Sequence, residues 1–219
     1  MRELTKYLFE YPEDWYSFLV VVMAFALAVL PFFIEVHSYA LMPWLFLSGL
    51  INFIANLVNH NHTHVPTFRK DHLNKAFNVL LTVARMAPVT FIVIIHNINH
   101  HGSVLRKEDW FHESNEGSGP VFLRPFVYTW NTLLRFKRMA KPYKKRLTSS
   151  QKKMLRVERY VLISYLVIIF AADWRVALVF GVLPAMFGNY CTVLTNLLHH
   201  RHANLDHPAN VARNYVAPW

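Results

Sequence analysis

The segment YALMPWLFLSGLINFIANLVNHNHTH, residues 39–64, decides the architecture of this chain. Its first part, Tyr39 to Val58, is long and apolar enough to cross a hydrocarbon core of about 30 Å as a helix. Its last part, Asn59-His60-Asn61-His62-Thr63-His64, is polar and rich in imidazole. Asn52, Asn56 and His60 repeat every fourth residue and so share one helix face. Polar side chains in a span face the bundle interior, so this stripe leads along the inside of a helix toward the histidines.

Outward from this segment the same combination recurs. Trp15 to Val36 is a first span, joined to Tyr39–Val58 by a turn around Glu35-Val36-His37-Ser38 that Pro31 and Pro43 flank, which predicts an antiparallel hairpin. Tyr160–Ala172 and Val176–Leu198 predict a second hairpin around Asp173-Trp174-Arg175. The first arm of that hairpin is only thirteen residues long. It must borrow its flanks, with Arg156 and Arg159 snorkelling, or sit in a locally thinned bilayer. Between the hairpins, residues 71–101 read as helices in or near the interface. Phe77, Leu80, Leu81 and Ala84 form an apolar face there, Lys75 and Arg85 interrupt it, and Met86–Ile95 is too short to span. A loop without periodicity covers His112–Pro125, and residues 126–159 form a basic segment suited to anionic headgroups. The expected fold is a single all-α integral membrane domain over residues 1–219. It has four transmembrane helices in two hairpins, interfacial helices, and a cytoplasmic cap rich in histidine.

Composition supports a membrane chain. Of 219 residues, 54% are hydrophobic and the mean hydropathy is +0.21, against an apolar fraction of about 45–50% in ordinary soluble domains. The net charge of +10 is concentrated: of 23 Lys and Arg, 18 lie between His60 and Arg159. Arg2 and Lys6 precede the first span, and the Glu35–Tyr39 turn has no Lys or Arg. By the positive-inside rule this places the histidine side and both termini in the cytoplasm. Nucleic-acid binding is excluded as a reading of the charge, because no recognition motif accompanies the basic run. The single cysteine, Cys191, lies in an apolar segment and can form no intrachain disulfide. Fourteen mostly polar or aromatic residues precede the first span, which reads as a retained helix and not a signal peptide.

The thirteen histidines carry the chemistry. Most fall in three clusters: His60/His62/His64, then His96-Asn97-Ile98-Asn99-His100-His101, then Asn196-Leu197-Leu198-His199-His200-Arg201-His202. Residues four apart on a helix share a face, so His60 and His64, His96 and His100, and Asn196 and His200 are natural ligand pairs, with His101 extending the second. A structural zinc needs four ligands; six or more convergent imidazoles imply two metals. Imidazole suits Zn, Cu, Fe and Ni alike. Two metals at a lipid interface fit O2 activation better than hydrolysis, since the substrates within reach are hydrocarbon chains. His62 points away from His60 on a helix and is expected near the ligands or toward solvent, and His199 lies one step off the Asn196–His200 face. Glu108 and Asp109 are placed to orient ligand imidazoles through their second N–H groups. His37, His72 and His112 are read as bystanders.

The spacings His60-x3-His64 and His96-x3-His100-His101 resemble the histidine boxes of the membrane fatty acid desaturase and hydroxylase superfamily. The string HNINHH followed by Lys107-Glu108-Asp109-Trp110 is similar to the second box and acidic-Trp segment of bacterial desaturase-like members. The run Asn196–Ala203, continuing to Ala212-Arg213-Asn214-Tyr215-Val216, is similar to the segment those members carry after their last span. The resemblance covers the chain from about His60 onward. It implies two irons held by His60, His64, His96, His100, His101 and His200, with Asn196 on a metal-bound water. His202 and His207 match box positions less clearly. In the family a further His-x2-His-His box comes after the Arg-Asn-Tyr region, beyond Trp219, so the chain is expected to be incomplete at its C-terminus.

The resemblance further implies O2-dependent oxidation of an unactivated C–H bond in a fatty acyl or similar lipid chain, as a desaturase or, with the same boxes, a hydroxylase. It implies Fe2+ and O2, a ferredoxin- or flavoprotein-type electron donor, and a bacterial inner-membrane location; zinc would be a purification substitute for iron. A second reading is an inactive membrane metal-binding or scaffold protein, and a third is a bis-histidine haem protein.

Overall fold

The computed structural model describes residues 2–103 and 107–200. Helix makes up 82% of the structure, and the described residues form no strand, only an isolated antiparallel bridge between Phe9 and Phe68. The helices are α1 (Arg2–Leu8), α2 (Asp14–Val29), α3 (Ser38–His64), α4 (Asp71–Arg85), α5 (Val89–Ile92), α6 (His101–Ser103), α7 (Arg124–Lys145), α8 (Ser149–Val176) and α9 (Leu183–His200). Among the described residues, three stretches are long and apolar enough to cross a membrane: Asp14–Phe32, Ser38–His64 and Ser149–His199. The sharply bent pair Asp71–Arg85 and Val89–Ser103 would make a fourth. The described residues are thus all-helical, with three or four candidate membrane spans.

The chain divides into two compact units, Met1–Ile92 with Thr148–Asn189, and Val93–Leu147 with the chain from Tyr190 onward. In the first, α2, α3 and α4 pack through Val21, Ala24, Ile51, Ala55, Val58, Phe77, Leu81 and Ala84. The outer face of α3 is greasy and its inner face polar: Met42 and Phe46 are 71% and 72% exposed, while Asn52 and Asn56 are buried. That inversion suits lipid outside and protein inside. The helix runs on through the first histidine cluster and stops at Val65, where Pro66 disfavours a further helical residue. Beyond it the chain is tied back to the N-terminus, with Glu10 N donating to Thr67 O (3.0 Å), Arg69 N to Leu8 O (3.1 Å), and Phe9 stacking on Phe68.

Expected and observed boundaries differ most in the second half. The short span expected at 160–172 belongs to a helix that starts at Ser149, where Thr148 and Gln151 form a capping box. From Ser149 to Ala172 it is about 36 Å long, so no thinned bilayer is needed. The basic segment 126–159 is accordingly split between α7 and the opening turns of α8. Helix breaks at Asp173 (φ −159°, ψ 107°), whose Oδ1 accepts from Arg175 N (2.8 Å) and Val176 N (3.2 Å) and so caps the next helical stretch. A Cβ at Gly181 would lie 3.9 Å from Ile169, twelve positions earlier; an unbroken helix would separate them by about 18 Å. The chain folds back there.

The second unit holds a π-helical stretch, Val93–His100, then α6, a 3-10 turn at Glu113–Glu116, α7, and the end of α9. Its core is Phe111, Tyr128 and Leu197 with Ile95, Val193 and Leu194 against them. Trp110 is fully buried, edge-on to Phe136 and Tyr143.

Candidate metal centre

In the first unit, His60 and His64 occupy the last turn of α3 with ring centroids 5.0 Å apart. Thr63 Oγ1 donates to the His60 carbonyl (2.7 Å), and His60 Nδ1 lies 3.2 Å from Asn61 Oδ1. His62 goes elsewhere. It is half-buried, with Nδ1 accepting from Thr67 N (3.1 Å) and lying 2.9 Å from Thr67 Oγ1. Its Nε2 lies 3.0 Å from Asn78 Oδ1, and its ring stands edge-on to Phe77. Both ring nitrogens are therefore engaged, so His62 clamps the segment after α3 onto α4 and does not face solvent.

In the second unit the helical geometry itself shapes the site. Val93–His100 is π-helical, and in such a turn residue i meets i+5. His96 and His101 consequently come together, with ring centroids 4.5 Å apart and Nε2 to Nε2 3.0 Å. His100 stacks on His96 at 5.2 Å. Two nitrogens bound to one ion at about 2.0–2.1 Å lie about 3 Å apart, so the His96–His101 spacing fits two ligands of one metal.

His100 is held by a carboxylate. Its Nδ1 donates to Asp109 Oδ2 at 2.8 Å with both side chains buried, which puts the imidazole lone pair on Nε2. This is the arrangement that fixes the tautomer and raises the basicity of a metal-binding histidine. Asp109 Oδ1 also accepts from Phe111 N (2.9 Å). Of the two acids singled out from sequence, Asp109 meets an imidazole; Glu108 is exposed and offers its main-chain carbonyl to Asn99 Nδ2 (3.0 Å).

Residues that composition and spacing did not single out hold this loop. Asn99, fully buried, receives Trp110 N on Oδ1 (2.9 Å) while donating to Glu108 O, and so ties the 108–110 loop to the second cluster. Tyr128 donates to Phe111 O (2.8 Å). Burial, and after it the Asp109 carboxylate, pushes the Tyr128 pKa up, so its hydroxyl keeps the proton it donates. Thr132 donates to Trp110 O and Arg135 to Lys107 O. The alternation of Asn with His in HNINHH was the available signal for Asn99; nothing in the sequence marked Tyr128 or Thr132.

Of the third cluster, Asn196 donates from Nδ2 to Thr192 O (3.0 Å), and His199 is exposed. His200 is the last residue of α9; His202 and His207 lie outside the described residues. His37 is exposed beside Glu35 and Tyr39, His72 is exposed, and His112 caps the turn at Glu113.

The fatty acid desaturase family model matches residues 37–219. The chain belongs to the fatty acid desaturase family. No curated protein and no solved structure matches it. In this desaturase-family chain the match begins at the turn before α3 and takes in all three histidine clusters. The family points to an oxidoreductase and to lipid-chain oxidation, and implies a diiron centre and O2 in general.

Proposed function

We propose that this protein oxidises an unactivated C–H bond of a fatty acyl or similar lipid chain by O2, as a desaturase, with electrons from a ferredoxin- or flavoprotein-type donor. The observation that carries the reading is the His96–His101 apposition beside a His100 whose tautomer Asp109 fixes, in a chain of desaturase family. The proposed ligand set is His60, His64, His96, His100, His101 and His200, with Asn196 beside it. Two bound irons would supply the O2 chemistry and the hydrogen abstraction.

The chain's own residues prepare for that role. The π-turn sets two imidazole nitrogens at ligand spacing. Asp109 keeps the proton on His100 Nδ1, and Asn99, Thr132 and Tyr128 keep the Asp109 loop from moving. The greasy outer face of α3 meets lipid acyl chains. The reading also puts the histidine-bearing ends on the cytoplasmic side, where a soluble reductant has access.

The test is iron content and product. Protein loaded anaerobically with Fe2+, reconstituted in phospholipid nanodiscs with a reducing ferredoxin system and O2, is expected to bind two irons per chain and to form an alkene in the acyl chains, read by mass spectrometry. A hydroxylated chain in its place would make the enzyme a hydroxylase. One iron or none, with no oxidised lipid, would favour the metal-binding or scaffold reading, and a Soret band would point to haem.

A further inference from the structure

The polar stripe of α3 does not end in contacts that satisfy it. Ser48, Asn52, Asn56 and Asn59 lie on one buried face of this helix, over about 16 Å. Asn56 Oδ1 accepts from Arg85 Nε (2.8 Å), Asn52 Nδ2 donates to Ala84 O (2.8 Å), and Asn189 Nδ2 donates to Arg85 O (3.2 Å). Arg85 and Glu158 are both buried, and Glu158 Oε2 accepts from Thr90 N (3.0 Å).

Along this seam many polar atoms have no protein partner. They are Ser48 Oγ, Asn52 Oδ1, both amide atoms of Asn59, Arg85 Nη1 and Glu158 Oε1. Asn59 is 0% exposed and stands one residue before His60. Buried polar groups are almost always hydrogen-bonded, and leaving this many dry would consume a large share of a domain's stability. Inside a span, buried ionisable residues also mark pathways for ions, protons or water. A bound water needs two to four polar partners, and this seam offers donors and acceptors in turn.

We propose that the inner face of α3 holds a file of bound water, anchored by Arg85 and Glu158, that runs from Ser48 to Asn59 and reaches the turn carrying His60. Its use rests on the oxidation proposed above. Converting CH2–CH2 to CH=CH with one O2 takes up two electrons from the donor and two protons, and releases two waters. The file is the route by which protons enter and water leaves without opening the site to bulk solvent.

Two measurements test the file without metal or turnover. An experimental map that resolves ordered water is expected to show peaks within hydrogen-bond distance of the Asn59 amide, Arg85 Nη1 and Glu158 Oε1; a map that shows ordered water elsewhere but leaves these atoms bare overturns the proposal. Asn59→Leu is expected to lower the melting temperature by about 3 °C or more, because it strands the waters' other partners. If Asn59 is dry, the same change removes an unsatisfied amide and raises it, which overturns the proposal. The route is tested in iron-loaded protein, where Asn59→Leu is expected to increase the solvent deuterium isotope effect on turnover at unchanged iron content. An unchanged isotope effect overturns the route. The oxidation itself fails separately, if the wild-type protein with its waters in place forms no product.

Discussion

Asp109 makes two contacts with its two oxygens, one to the His100 imidazole and one to the Phe111 amide. Asp109→Asn keeps the shape and removes the charge that favours a metal-binding His100. It is expected to weaken metal affinity by about 10–100-fold, measured by competition with a chelator of known strength, whereas Glu108→Gln leaves affinity unchanged. His62→Ala should do the reverse. It deletes hydrogen bonds to Thr67 and Asn78 at a half-buried site and is expected to cost about 1–3 kcal/mol of stability, read as a lower melting temperature, with metal content intact. Loss of metal in that variant would make His62 a ligand. At this scale the sequence was only partly legible. The His60–His64 pair follows from α-helical spacing, but the His96–His101 contact does not, because the π-turn widens the repeat from four to five. Asp109 and Glu108 are chemically alike in sequence, and only the burial of the loop separates them.

Helix contacts divide two glycines that look alike in sequence. A Cβ at Gly188 would sit 2.8 Å from the main chain of Asn52 and Phe53, so Gly188→Ala has to push α9 away from α3. The expected cost is about 1–3 kcal/mol, measured by denaturation in detergent micelles. At Gly181 the nearest atom is the Met86 methyl, which can swing aside, and Gly181→Ala is expected to leave stability nearly unchanged. The break at Asp173 was legible because three polar or amphipathic residues interrupt an apolar run. The start of α8 at Ser149 was not read, because Lys152, Lys153, Arg156 and Arg159 made its opening turns look like a basic flank. The Thr148-Ser-Ser-Gln151 capping pattern stood in the sequence all the same.

For the molecule as a whole, hydropathy made the membrane character legible, and charge asymmetry yields a topology that can be tested. In a Cys191→Ala background, Ser38→Cys in intact cells is expected to react with a membrane-impermeant maleimide, whereas Lys141→Cys reacts only after the membrane is opened. Labelling of Lys141→Cys in intact cells would invert the orientation. The two compact units themselves could not be read from one sequence, since each is assembled from two separated stretches of chain. Finally, α3 has 27 residues and is about 40 Å long, roughly 10 Å more than the thickness of a typical hydrocarbon core. Its histidine-bearing end therefore works as a depth gauge. If the chain oxidises lipid as proposed, a thicker bilayer would draw His60 and His64 toward the acyl chains and a thinner one would lift them among the headgroups, so the host membrane would help set which carbon lies opposite the first histidine pair.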